Sequence, residues 1–583
     1  MSRRPMKWIP MPQCLLRAAA AALAITLATM PAAAGYEVPP DASLSGSYLA
    51  GRSASKLRDN DVASGYFARA LRDDPGNPVL VERLFLLELS EGNLSTAEDH
   101  ALRVLSFNSQ QRMARIVLGL KDYRLRRYEA ARKHFAEAAY TPVGELTSAL
   151  LIAWSWAGEG ELNPALNALD KLDANESFAN FKAFHAALIT GYLGNAMRAE
   201  AFYKKAIEQA PTSLRIVQAY GNFLARSGRA GEARKVYDSF LEGGERNPLI
   251  AEARAGLAAG KEPEPFIATP AAGVAEALFS LATAMTDDQS IDVALLYAQL
   301  ALSFGADRPV ILTLIGDIYE DTRRPSKAID AYEQIPRDSV LRDNADVEIA
   351  VNLQRLDRKD EAQARLNAVI ARTPGNYEAL VTLGNIHRNN EDYAKAAEAY
   401  DRAIALVETF ERDHWRVFYY SGISWERQKI WDKAEAQFRR ALELSPDEPL
   451  VLNYLGYSMI EKKVGLQEAL AMVRKAVELR PNDGYIVDSL GWAYFQLRDY
   501  EEAVGHLERA VELNPADPII GEHLGDVYWR VGRKLEARFQ WQHAKDNGPE
   551  PEDLKRIEDK LKNGLPEEEP LPPAATKSVP NNG

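Results

Sequence analysis

Between Tyr485 and Pro515 the apolar and small residues fall on a fixed grid. Leu490 and Gly491 are adjacent, Tyr494 follows, and then come Ala503, Leu507, Ala510 and Pro515. The grid recurs 34 residues further on as Leu524, Gly525, Tyr528, Ala537, Trp541, Ala544 and Pro549. Apolar residues at helical spacing on both sides of a short break predict two helices per unit. The small residues have a mechanical role: two helices approach closely only where their crossing point carries Gly or Ala, and Leu, Tyr and Phe fill the space beside it. The closing proline cannot continue a helix and forces the turn to the next unit.

This grid resembles the tetratricopeptide repeat (TPR), L-G-x2-Y…A-x3-F…A…P. A more degenerate version opens at Leu44. Six frames tile without a gap over 44–77, 78–111, 112–145, 146–179, 180–213 and 214–247, with marks such as Ala63, Phe67, Gly119, Phe135, Gly221 and Tyr237. The frame breaks at 248–274, where the stretch after Ala259 holds three prolines. That segment reads as an extended connector, or as an ordered insert anchored by Phe266 and Ile267. Eight further frames fill 275–551. The expectation is an all-α fold: an α-solenoid, a right-handed superhelix of about fourteen TPR helix-turn-helix units in two arrays, 44–247 and 275–551. Leu554, Ile557 and Leu561 share one face of 552–565, which is expected to be a C-terminal capping helix. The tail 566–583 is rich in Pro and Glu and is expected to be disordered.

Composition changes the picture at the ends and in the choice of partner. The chain has 583 residues and a formal net charge of −13, which disfavours nucleic acid. Arg3, Arg4, Lys7 and Arg17 precede an apolar run from Ala18 to Met30 and the small residues Ala32–Ala34. This layout predicts a secretory signal peptide over 1–34 and a periplasmic mature protein. The apolar run is too short to span a bilayer, and no other segment reads as transmembrane. The only cysteine, Cys14, lies before the apolar run, so no lipid anchor and no disulfide are expected.

Candidate chemistry is sparse. None of the eight histidines falls into a metal-ligand spacing, and there is no phosphate-binding glycine loop or nucleophile elbow. The expectation is a non-enzyme with no catalytic residue, cofactor or metal. What remains is surface. In such arrays the first helix of each unit lines the concave face, and its second, fifth, ninth and twelfth positions point inward. Here these include Tyr419, Tyr457, Tyr485, Asp488, Trp492, Phe495, Glu522, Asp526 and Trp529. They are the candidate partner-binding residues. Aromatic side chains concentrate binding energy, and the acidic ones favour a partner with a basic or amine-bearing surface. The alternative is that Trp492 and Phe495 pack on the neighbouring helix and belong to the core.

The blocks YIVDSLGWAYF and GEHLGDVYWRVGRKLEARFQWQHA, and the frame 275–308, resemble large envelope TPR proteins of Gram-negative bacteria. One branch of that family consists of outer-membrane lipoproteins that bind a carboxyl-terminal processing protease and deliver substrates such as cell-wall hydrolases. The resemblance implies a periplasmic adaptor for such a protease. The missing lipobox cysteine departs from that branch. A scaffold for envelope assembly, such as polysaccharide export or pilus biogenesis, is the alternative. Homo-oligomerisation stays open.

Overall fold

A computed structural model describes residues 43–242, 247–285, 287, 289–305 and 307–567. The expected signal peptide 1–34, and the tail from 568 onward, lie outside these residues. The described residues hold thirty α-helices and no strand. The fold class is an all-α repeat solenoid. Twenty-eight helices form fourteen consecutive pairs; Pro248–Ala258 and Pro551–Asn563 are the two that stand outside the pairing.

The pairing follows from one steric fit. The glycine of the first helix faces the large residue of the second in pair after pair. A Cβ on Gly119 would lie 2.4 Å from the Phe135 ring, on Gly384 2.6 Å from Tyr400 and on Gly525 2.4 Å from Trp541. These aromatic residues are fully buried. The turn between the helices is equally regular. Its residue sits at positive φ in Arg58, Gly92, Arg126, Gly160 and so on at the repeat spacing, through Arg498 and Gly532. Asn, Asp or Thr caps commonly open the first helix, often with proline after them; Asn77 accepts from Leu80, Asp517 from Ile520 and Thr141 from Gly144. The Thr–Pro starts lengthen two first helices. One begins at Pro142, ahead of the frame start at 146, and another at Pro270, ahead of 275. The frame marks buried contacts, whereas the cap decides where a helix begins.

The chain divides into two compact units, with the boundary after Arg365, inside helix Lys359–Arg372. In the first unit, 248–274 is ordered. Pro248–Ala258 is a helix that buries Ile250, and a strap follows from Ala259 to Thr269. Asn222 fixes the strap: its amide donates to the Glu264 carbonyl at 2.8 Å, and its side-chain oxygen accepts from the Phe266 N–H at 3.3 Å. Arg226 donates to the Pro263 carbonyl, and the Arg215 guanidinium lies 4.5 Å from the Phe266 ring centre. Phe266 is therefore held against the first helix Leu214–Arg226.

The strap delivers the next pair, Pro270–Thr283 and Ile291–Leu302, onto the first helices of earlier pairs. Tyr297 hydrogen-bonds Thr147 at 3.0 Å, Gln299 donates to the Ser90 carbonyl at 3.1 Å, and Glu276 pairs with Arg215. A Cβ on Gly273 would meet the Trp154 ring at 2.2 Å. Phe304, just beyond the pair, touches the Tyr123 ring. Ser90, Tyr123, Thr147 and Arg215 all belong to the first helices of their pairs. The inner face of the early pairs is thus covered by the chain's own later pair.

Candidate partner-binding surface

In the second unit, 366–567, the first helices are Tyr377–Asn389, Trp415–Arg427, Pro449–Glu461, Gly484–Gln496 and Pro518–Arg530. Among the described residues of this unit, helices pack on those one or two places away in sequence, and the capping helix Pro551–Asn563 lays Arg556 and Lys560 against Glu522 and Asp526 of the last first helix. The second helix of each pair supplies a ridge of Ala, a larger residue and Ala that fixes the first helix by its glycine; the larger residue is Tyr400, Phe438, Val473, Leu507 or Trp541. The ninth position is then left facing inward.

The candidate residues divide into three groups. Tyr419 belongs to the core. It is 8% exposed, and its ring meets those of Trp415, Phe438 and Tyr454 at 5.9 to 6.1 Å between centres. Its neighbours leave it no face for a partner.

The acidic residues form the second group, and here the expectation of a free acidic surface is corrected. Asp488, Glu522 and Asp526 are 6%, 1% and 3% exposed. Asp488 lies 2.9 Å from His523 Nδ1. Glu522 accepts two hydrogen bonds from Arg556, each 2.6 Å, and a third from Lys560. Lys560 also donates to Asp526 at 2.6 Å, and the Trp541 indole donates to the other Asp526 oxygen at 2.9 Å. Arg556 and Lys560 are on the capping helix Pro551–Asn563, one turn apart. Burial by itself raises the pKa of Glu522, but its bonds to Arg556 and Lys560 outweigh burial and hold it below the usual range. For Asp526 burial wins over Lys560, and its pKa is raised. Burial lowers His523, but the Asp488 charge and hydrogen bond reverse this and raise it. The three carboxylates are buried and matched because a buried charge without a partner costs several kcal/mol, on the order of 3–5.

The third group keeps exposed surface. Tyr457, Trp492, Phe495 and Trp529 are half-buried, and Tyr485 is 44% exposed. Trp492 is sandwiched between two rings, Phe495 at 4.7 Å and His523 at 3.9 Å, both near parallel. Its indole donates to Glu461 of the preceding pair. Trp492 therefore does both things weighed above: it ties neighbouring helices together and still shows surface. Trp529 packs on Trp541 and under the backbone of Gly564. Burial, with help from Glu461 and Asp488, pushes the Tyr457 hydroxyl up in pKa, so it stays protonated.

Sequence reasoning missed His523, Arg556, Lys560 and Glu461. A signal for two of them existed: a basic pair spaced by four along the edge of the capping helix's apolar stripe, Arg556 and Lys560 beside Ile557. Among the described residues, no group of three or more His, Cys, Asp or Glu is arranged to hold a metal ion.

Helix pairs of this geometry define an all-α helical repeat protein. Tetratricopeptide repeat models match residues 347–409, 384–449 and 491–532. Residues 347–449 and 491–532 therefore match tetratricopeptide repeats, modules that bind other proteins and that typically scaffold without catalysing. Human protein O-mannosyl-transferase TMTC1 is 25% identical over 143 residues, 24% of this chain; the match spans only 16% of that relative. Among solved structures, the APC/C hetero-tetramer Cut9–Hcn1 aligns with 89% of this chain and 95% of its own at 14% identity, with a TM-score of 0.37. Yeast Tom70 gives the same coverage and identity with a TM-score of 0.31. A tetratricopeptide repeat protein from Parabacteroides merdae aligns with 44% of this chain and 98% of its own at 15% identity and a TM-score of 0.35.

Proposed function

We propose that the chain is a non-enzymatic periplasmic adaptor that holds protein partners on the inner face of residues 366–567. Most concretely, it binds a carboxyl-terminal processing protease and presents cell-wall hydrolases to it. The observation that carries the binding reading is the contrast between the two units. In 43–365 the inner face of the early pairs is covered by the pair Pro270–Leu302. In 366–567 Tyr457, Trp492, Phe495 and Trp529 keep exposed area on three successive first helices. Half-buried, rigid aromatic rings supply contact area at low entropy cost, which is why they anchor interfaces. Periplasmic delivery rests on the basic, apolar and small-residue run of 1–34. The choice of a protease as partner rests on the resemblance of 275–308 and 485–544 to the envelope proteins.

The test is affinity purification of the tagged full chain from a periplasmic extract, with Trp492→Ala alongside. Recovery of a protease and a cell-wall hydrolase that Trp492→Ala loses supports the proposal. Recovery of export or pilus components instead moves the assignment to envelope assembly. Retention of the chain in the cytoplasm removes the periplasmic part.

A further inference from the structure

The turns inside two adjacent pairs of the second unit form a rim of their own kind. One turn joins Trp415–Arg427 to Trp431–Leu444, and the other joins Pro449–Glu461 to Leu466–Leu479. Lys429 and Lys463 hold the left-handed position of these turns, at φ 64 and φ 55. An exposed aliphatic residue follows each: Ile430 is 39% and Val464 42% exposed. The Lys433 ammonium lies 3.9 Å from the Trp425 ring centre. The Lys462 ammonium lies 5.1 Å from the ring centre of Trp431, which belongs to the other pair. Both indoles are half-buried. The two turns are therefore one contiguous patch of lysines, tryptophans and exposed aliphatic side chains.

Its charge is the reverse of the chain's, which is −13. Five cations, Arg427, Lys429, Lys433, Lys462 and Lys463, stand beside three carboxylates, Glu426, Asp432 and Glu461. Among the described residues none of the four lysines makes an ion pair; Lys433 and Lys462 meet rings instead, and the half-buried Asp401 lies in the field of Lys433 without bonding it. Glu426 accepts from the Tyr454 hydroxyl and Glu461 from the Trp492 indole, so both are tied to neighbouring helices. The flanking turns carry acids, Glu391 and Asp392 on one side and Asp499 on the other, which confines the basic rim to these two pairs.

A bilayer surface offers what each of these groups needs. Tryptophan settles at the headgroup level, with its ring toward the apolar zone and its N–H toward the polar one. Aliphatic tips bury beside it, and a lysine lays its stem along apolar surface while its ammonium reaches lipid phosphate. The attraction acts within a Debye length, about 8 Å at physiological salt, so acids elsewhere on the chain are screened from the contact.

We propose that this rim docks the chain on the surface of a bilayer that contains anionic phospholipid. Ile430, Trp431 and Val464 enter the headgroup layer, and Lys429, Lys433, Lys462 and Lys463 meet lipid phosphates. The docking is peripheral and does not depend on what the inner face binds.

The test is co-sedimentation of the chain from Gly35 onward with sucrose-loaded vesicles of phosphatidylcholine, with or without about one third phosphatidylglycerol. That chain keeps every described residue and lacks the apolar run 18–30, which could enter vesicles by itself. The expected result is binding to the phosphatidylglycerol vesicles alone, weakened about tenfold or more when NaCl is raised roughly tenfold. Each lysine contributes about fivefold, equivalent to about 1 kcal/mol, so Lys429→Gln with Lys463→Gln weakens binding by about tenfold or more. Ile430→Ser with Val464→Ser leaves the charge unchanged and also weakens binding severalfold on the same vesicles. Lys205→Gln with Lys235→Gln, two exposed lysines of the first unit, leaves it unchanged. Equal binding to phosphatidylcholine, or an equal loss in the Lys205 and Lys235 variant, overturns the proposal. Undiminished binding of the Ile430 and Val464 variant overturns entry into the headgroup layer. A chain that ignores both vesicles yet binds polyglutamate through Lys429 and Lys463 overturns the proposal and assigns the rim to an acidic protein.

Discussion

At the residue scale the recurring choice is between a residue that fits and one that is tolerated. The turn inside each pair needs a left-handed residue; Gly160, Gly194 and Gly228 supply it without strain, whereas Glu391 holds it at φ 64 with a side chain attached. A left-handed residue with a Cβ costs about 1–2 kcal/mol, part of which glycine returns as unfolded-chain entropy. Glu391→Gly is therefore expected to raise the melting temperature, by up to about 1 kcal/mol of stability, measured by thermal unfolding. His523 makes a second prediction, in pH. Its pKa is raised above the ordinary value by Asp488, with Asp526 and Glu522 adding to the pull and burial opposing it. A raised histidine stabilises the fold fully below its unfolded pKa of about 6.5, and that contribution is lost as pH rises through the folded value. Melting of the second unit should fall from mildly acid to alkaline pH. His523→Gln should flatten that fall. A slope unchanged in the variant would assign it to another group.

At the element scale two segments outside the fourteen pairs do the anchoring. The capping helix buries Ile557 fully, and its Arg556 and Lys560 neutralise the last pair's carboxylates. Gly564 then turns the chain at φ 74 over the Trp529 ring, where a Cβ would lie 2.0 Å away, and Arg530 holds the Pro566 carbonyl. The strap is the other segment. Its backbone is held by Asn222, which acts as both donor and acceptor, and by Arg226, which donates to the Pro263 carbonyl. Losing each such bond removes about 1 kcal/mol. Asn222→Ala should raise amide exchange over 262–267 by roughly tenfold, while the helices on either side keep their protection. Uniform exchange in the wild-type strap would mean that these bonds do not hold it.

At the scale of the whole molecule, the first unit covers the inner face of its early pairs with its own later pair, whereas in the second unit the capping helix covers the last pair's carboxylates and the rings before it keep part of their surface. The closure depends on a glycine, since Gly273 lets helix Pro270–Thr283 meet Trp154 in direct contact. Gly273→Val should overpack that contact by about 1–3 kcal/mol and loosen the pair from the early helices. Limited proteolysis near the strap should then accelerate, with little change in the protection of 449–530. Unchanged cleavage would show that the pair is held without this contact.

The repeat was legible throughout because its rule is local. Gly384 and Tyr400, or Gly525 and Trp541, sit sixteen residues apart in one helix pair, and the fit between them depends on nothing further away. The aromatic ninth position, Trp492, was legible on the same ground. The states of Asp488, Glu522 and Asp526 were not. Their charges are set by His523 in the next pair and by Arg556 and Lys560 in the capping helix, 34 to 38 residues away from Glu522 and Asp526 in the chain. Nor could the frame show that Tyr297 would reach Thr147, 150 residues away. The sequence alone determined the helix pairs, their period and the rings that face inward, because those follow from side-chain volume and helical spacing within a few turns. Only the tertiary structure decided which part of an inner face is covered and which charges remain unspent, because both depend on where one part of the chain meets another that is distant in sequence.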